Sequence, residues 1–131
     1  MATIFTRIIK GEIPCYKIYE DENYFAFLDI NPLQKGHTLV IPKKEDDYIF
    51  NLDDATYSGL MMTAKKIAAA IKESTNCKRV GVTVLGMEVP HVHIHLVPMN
   101  SEKDMLFSNP KMDLSKEEFE AIAADIAKRV K

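Results

Sequence analysis

The segment PHVHIHLVP, residues 90–98, carries His91, His93 and His95, three of the four histidines in a chain of 131 residues, each separated by one apolar residue. On an extended strand successive side chains point to opposite faces, so the imidazoles share one face while Val92, Ile94 and Leu96 turn to a core. At a rise of about 3.3 Å per residue, neighbouring histidines are spaced roughly 6.5 to 7 Å along the strand. That is too long for ring-to-ring hydrogen bonds and short enough for all three rings to touch one small ligand such as a phosphate.

Three readings suit such a face. The plainest is a solvated strand surface, although histidine is a poor strand former without a compensating role. A metal site is the second, because two histidines two residues apart can both reach a Zn²⁺ at about 2 Å, with His37 or Glu88 as a further ligand. The third is chemistry on phosphorus. A neutral imidazole attacks phosphorus, forms a phosphoramidate and leaves again once protonated, and histidine also moves protons near neutral pH. In that reading the middle ring attacks, and the outer rings bind phosphate oxygens and handle protons.

The elements that must hold these rings follow from patterning. Ile4, Phe5, Ile8 and Ile9 recur at helical spacing before Gly11 and Pro14, which predicts a short N-terminal helix ended by glycine. CYKIYED and YFAFLDI alternate around a turn at DEN and predict a β-hairpin. NPLQKGH is turn chemistry, and HTLVIPK makes a third strand closed by Pro42. From an N-cap at Asp53, Leu60, Ala64, Ile67, Ala68 and Ile71 form one apolar face of a long central helix ending near Asn76. RVGVTVL and HVHIHLVP are the fourth and fifth strands, and residues 99–114 are polar and loop-like. Ser115 with Glu118 makes a capping box for a last helix whose face is Phe119, Ile122, Ala123, Ile126 and Val130. The order predicts an α+β domain over residues 1–131, an antiparallel sheet with helices on one face. Leu60, Ile67 and Ile71 are expected to contribute to a subunit interface.

Composition narrows the partners. With 47% apolar and 27% charged residues the chain is globular in character, and a net charge of −2 supplies no basic footprint for a nucleic acid polymer. No run of 18 apolar residues predicts a membrane span, and no secretory segment is evident, so a cytoplasmic protein is expected. Cys15 and Cys77 lie far apart and form no zinc or redox motif.

The stretch His91-Val92-His93-Ile94-His95-Leu96-Val97 resembles the His-x-His-x-His-x-x signature, x being apolar, of the histidine triad (HIT) nucleotide-binding protein family. IFTRIIKGEIP, YED, FAFLDINP and GHTLVIPK are similar to that family's N-terminal half in order and spacing, so the resemblance runs from about residue 4 to residue 98. It implies a HIT-like five-stranded antiparallel sheet with a long central helix plus N- and C-terminal helices, in a homodimer that joins two sheets into one of ten strands. It also implies a nucleotidyl hydrolase or transferase of the small phosphoramidase-like branch, acting on purine nucleoside phosphoramidates or dinucleoside polyphosphates without a cofactor or metal. By the resemblance His93 is the nucleophile, His95 and His91 contact and support the phosphate, and His37 lies behind the triad. Asp29 matches the acid that holds the ribose hydroxyls, a task suited to a carboxylate facing a cis diol. Ile30, Ile4, Phe5, Ile8 and Ile13 match the slot for an AMP-type base, although the same residues also read as plain core.

Three departures stand out. Where the family shows Gly-Gln and a small hydroxyl residue before the triad, this chain has Gly86, Met87 and Glu88, with Thr83 the only polar residue near the expected asparagine. A carboxylate at Glu88 repels an anionic phosphate by about 1 kcal/mol or more unless protonated or paired. One use for it is as a proton donor to, or clamp on, an amine leaving group. Glu45 replaces a further histidine, and Thr3 and Thr6 replace the cysteines of a structural zinc site, so that zinc is not expected here. Two rivals to the enzyme remain: a nucleotide-binding regulator that kept the pocket without efficient catalysis, and a histidine-ligated metal hydrolase.

Overall fold

Tyr24 to Leu28 are aromatic and aliphatic residues of which Phe25 to Leu28 are buried on both faces, and this strand sits inside a sheet with a core on each face. The computed structural model describes residues 2–131. Its regular elements are α1 (Ile4–Ile9), β1 (Lys17–Glu20), β2 (Tyr24–Leu28), β3 (Thr38–Pro42), α2 (Asp54–Thr75), β4 (Arg79–Thr83), β5 (Ile94–Met99) and α3 (Lys116–Arg129). The five strands form one antiparallel sheet in the order β1-β2-β3-β5-β4, as the α+β reading expects. Two short 3₁₀ turns, Ile49–Asn51 and Glu102–Met105, escape the patterning because three or four residues carry no periodicity.

Caps fix the helices where the sequence places them. The Asp53 side chain accepts the Thr56 backbone N–H at the start of α2, and Asn76, in the left-handed region at φ 55°, ends it. Ser115 and Glu118 form the reciprocal capping box of α3.

Two corrections follow from where the helices lie. Leu60, Ile67 and Ile71 pack with Val40, Ile94, Leu96 and Ile126 in the core between the sheet and the pair α2 and α3, and all three are 0% exposed. They therefore do not lie at a subunit surface. The apolar stripe of a helix faces its own sheet first, where each such side chain contributes about 1.5 to 3 kcal/mol by leaving water. The expectation of helices on one face is also incomplete. α1 lies on the opposite face, where Phe5 and Ile8 cover Phe25, Phe27, Leu39 and Ile41.

Candidate active site

β5 begins at Ile94, so of the triad only His95 belongs to the ladder, opposite Leu39 on β3 and Thr83 on β4. His91 and His93 precede the strand, which shortens the predicted one. The cause is Pro42 at the end of β3, which has no N–H to donate across to the 91–93 segment. The Val92 N–H turns instead to the Asp46 carbonyl at 2.7 Å. The alternation of faces nonetheless holds: Val92, Ile94 and Leu96 enter the helix-side core, and the three imidazoles lie on the α1 side. The rings are not a solvated face, since His91 is fully buried and His93 and His95 nearly so.

Hydrogen bonds assign a tautomer to each ring. The Leu33 N–H donates to His37 Nδ1 at 3.0 Å, so in the neutral ring the proton sits on Nε2. His37 Nε2 then donates to His95 Nδ1 at 3.0 Å, which leaves the proton of His95 on Nε2. His93 Nδ1 lies 2.7 Å from the His91 carbonyl, which can only accept, so Nδ1 carries the proton and Nε2 keeps its lone pair. Neither His93 Nε2 nor His95 Nε2 has a protein partner among the described residues, and neither is a buried orphan, so both open to the cleft. The result is a lone pair and an N–H donor on adjacent rings whose centroids are 4.9 Å apart.

The environment keeps the supporting rings neutral. Burial, with the His95 and Lys111 charges adding to it, pushes His37 down to about 3. Burial and the neighbouring His93 push His95 down to about 4. His91 is lowered as well, chiefly by burial, against the Pro42 carbonyl and Glu45, which raise it.

The open nitrogens face a cleft of about 420 Å³. Ile4, Phe5, Ile8, Ile13, Asp29, Ile30, Gly86, Met87 and Glu88 all line it beside His93 and His95, while His91 and His37 stand behind. Phe5 meets His93 edge-on at 5.0 Å and His91 at 5.8 Å, so this residue belongs to the apolar core of α1 and to the cleft wall at once. Asp29 accepts the Asn31 N–H on Oδ1 at 2.8 Å, closing the turn, while Oδ2 lies 3.6 Å from His37 Nε2. Burial raises its pKa from the ordinary aspartate value. Ile30 is 64% exposed and Met87 89% exposed, so their contribution is a rim rather than a floor.

Sequence reasoning missed Phe107 and Lys111, which reach the cleft from the segment after β5. Phe107 stands edge-on to His95 at 4.9 Å and to His37 at 6.1 Å, and Lys111 donates to the Phe107 and Asn109 carbonyls. No periodicity marks either one; the only signal was an aromatic and a lysine in an otherwise polar loop.

Among the described residues, Asp29, His37 and His95 are the one group of three that brings metal-ligating atoms within 4.8 Å of one another. Their donor set argues against a cation. The Leu33 N–H occupies the Nδ1 lone pair of His37, which leaves Nε2 protonated and unable to ligate as a neutral ring.

Such a site on an antiparallel sheet defines a class of small α+β enzyme whose working groups are imidazoles. Within that class, the HIT domain family matches residues 10–102, and the chain belongs to it. The adenosine 5′-monophosphoramidase of Schizosaccharomyces pombe is 36% identical over 133 residues, covering 100% of each chain. Among solved structures, a Hit-like protein from Bartonella henselae superposes with a TM-score of 0.82 at 30% identity, over 97% of this chain and 95% of that one. A zinc-bound histidine triad family protein from Mycobacterium smegmatis gives 0.81 at 29%, over 98% and 95%.

Proposed function

We propose that this hydrolase cleaves the α-phosphate bond of purine nucleoside phosphoramidates or dinucleoside polyphosphates through a nucleotidyl-histidine on His93. The observation that carries the reading is the His93 ring itself: Nδ1–H held by the His91 carbonyl, Nε2 free in a cleft of nucleotide size. Nε2 attacks phosphorus, the new P–N bond forms as the bond to the leaving group breaks, and the positive ring is stabilised at Nδ1–H by that carbonyl. Water then attacks phosphorus, the P–N bond breaks, and the nucleoside monophosphate leaves. The Nε2–H of His95 binds a phosphoryl oxygen where negative charge grows. Asp29 Oδ2 accepts the ribose hydroxyls, and α1 with Ile13 and Ile30 covers the base. His93→Ala is expected to abolish turnover of an adenosine phosphoramidate; hydrolysis at the wild-type rate contradicts the reading.

Glu88 suits an amine leaving group, which it protonates or clamps from the rim of the cleft. Glu88→Gln is expected to slow release of an amine while sparing a polyphosphate substrate. Equal rates of both for variant and wild type remove this role.

A second reading rests on Met87, whose side chain lines the cleft rim and offers no hydrogen-bond donor: a nucleotide-binding regulator with little catalysis. AMP binding without turnover across both substrate classes favours it.

The molecule acts as a homodimer. β4 is an edge strand, and elsewhere on the surface Tyr48, Phe50 and Tyr57 form an exposed aromatic cluster with ring centroids 5.5 and 6.5 Å apart. Pairing two β4 edges about a twofold axis makes one ten-stranded sheet and covers these rings.

A further inference from the structure

We propose that Thr3 and Glu45 position the nucleophile from behind: Glu45 anchors the start of α1, and the Thr3 hydroxyl held there orients His91, whose carbonyl sets the tautomer of His93. This rests on His93 being the nucleophile.

The geometry is continuous. Glu45 Oε1 accepts the Thr3 backbone N–H and the Thr6 hydroxyl, both at 2.6 Å. Thr3 Oγ1 accepts the Thr6 N–H at 3.1 Å as the helix cap, which leaves its own proton to donate. That proton goes to His91 Nδ1 at 2.7 Å, since the Thr6 oxygen is farther, at 3.3 Å. The other nitrogen of His91, Nε2, faces the Pro42 carbonyl at 2.8 Å. A carbonyl has no proton to give, so Nε2 bears the hydrogen and Nδ1 must be the acceptor. Thr3 is therefore the matching donor.

A helix cap alone does not need this contact. Capping uses Thr3 Oγ1 only as an acceptor. Its donation instead reaches a fully buried ring 88 residues along the chain. His91 has no solvent to replace a lost partner, and its carbonyl, 2.7 Å from His93 Nδ1, decides which nitrogen of the nucleophile keeps a lone pair. The same anchor holds Phe5 of α1 against both rings. The opposite flank has a matching device, since the Leu33 N–H fixes His37 and through it His95. The nucleophile stands between two supported neighbours, one oriented from the turn before β3 and one from the start of α1.

The test pairs imidazole nitrogen NMR with single-turnover kinetics on an adenosine phosphoramidate, using Thr3→Val, Thr3→Ser and Glu45→Ala. Thr3→Val is expected to move proton density at His93 from Nδ1 toward Nε2. It should slow nucleotidyl transfer by about tenfold or more, with a smaller loss of AMP affinity from the missing α1 cap. Thr3→Ser should restore both. Glu45→Ala, at an exposed position, should shift the His91 signals in the same direction and also weaken AMP binding, because α1 carries the base-side wall. A Thr3→Val protein with wild-type imidazole signals and rate overturns the proposal, as does a Glu45→Ala protein with unchanged His91 signals. Should Thr3→Val not fold, the Glu45→Ala result decides. If wild type turns over no nucleotide, the nucleophile reading fails, and the NMR signals still test the link from Thr3 to His93.

Discussion

At His37 and His95 the pH of the medium becomes a structural variable. Both rings are held neutral in the folded state, at about 3 and about 4, against about 6.5 when exposed. As pH falls below about 6.5 the unfolded chain takes up protons that the folded one refuses, so stability is full above that point and drains toward pH 4. Chemical denaturation between pH 7 and pH 4.5 is expected to show a midpoint that falls steadily. His37→Phe, which removes one of the two buried rings, should flatten that slope; an unchanged slope counts against the assignment. His91, His93 and His95 stood out because a rare residue type recurred at period two, whereas His37 and Asp29 were assigned to the nucleotide site only through the family resemblance. Their directing partners were not, because the Leu33 N–H and the His91 and Pro42 carbonyls are main-chain groups that every sequence possesses. Thr3 and Glu45 were visible only as departures from the family pattern, and the hydrogen bonds from Glu45 to Thr3 and from Thr3 to His91 required coordinates.

The elements were placed by periodicity wherever a face was long enough to show one. α2 starts and stops, and α3 starts, at the predicted caps, since Asp53, Asn76 and Ser115 each have a local chemical reason. β5 is shorter than its apolar alternation suggests because the limit comes from Pro42 on a neighbouring strand, a non-local effect. The position of α1 on the far face was equally hidden, since a stripe of Ile and Phe does not say which side of a sheet it covers. The segment after β5 read as loop, yet it delivers Phe107 onto His95 and His37. Truncating that ring opens one wall around the His37–His95 pair to water. Phe107→Ala is expected to raise KM and lower kcat together, by about tenfold in kcat/KM, or about 1.4 kcal/mol. Wild-type kinetics in that variant assign the ring to packing alone.

At the scale of the whole molecule, the sheet ends in β4, and Tyr48, Phe50 and Tyr57 form an exposed aromatic cluster on the surface. Leu60, Ile67 and Ile71 were expected at a subunit interface, yet a strong apolar stripe goes first to the chain's own core. Sedimentation of wild type as a dimer at micromolar concentration, with Phe50→Glu shifted toward monomer, supports the proposed joining; a wild-type monomer contradicts it. The central claim concerns one bond between a ring nitrogen and phosphorus. The most direct measurement is rapid quench of an adenosine phosphoramidate labelled at the α-phosphate, followed by peptide mapping of the trapped label. Label is expected on His93 within one turnover and none on the His93→Ala protein; label elsewhere, or turnover with no covalent nucleotide at any time, contradicts the nucleotidyl-histidine.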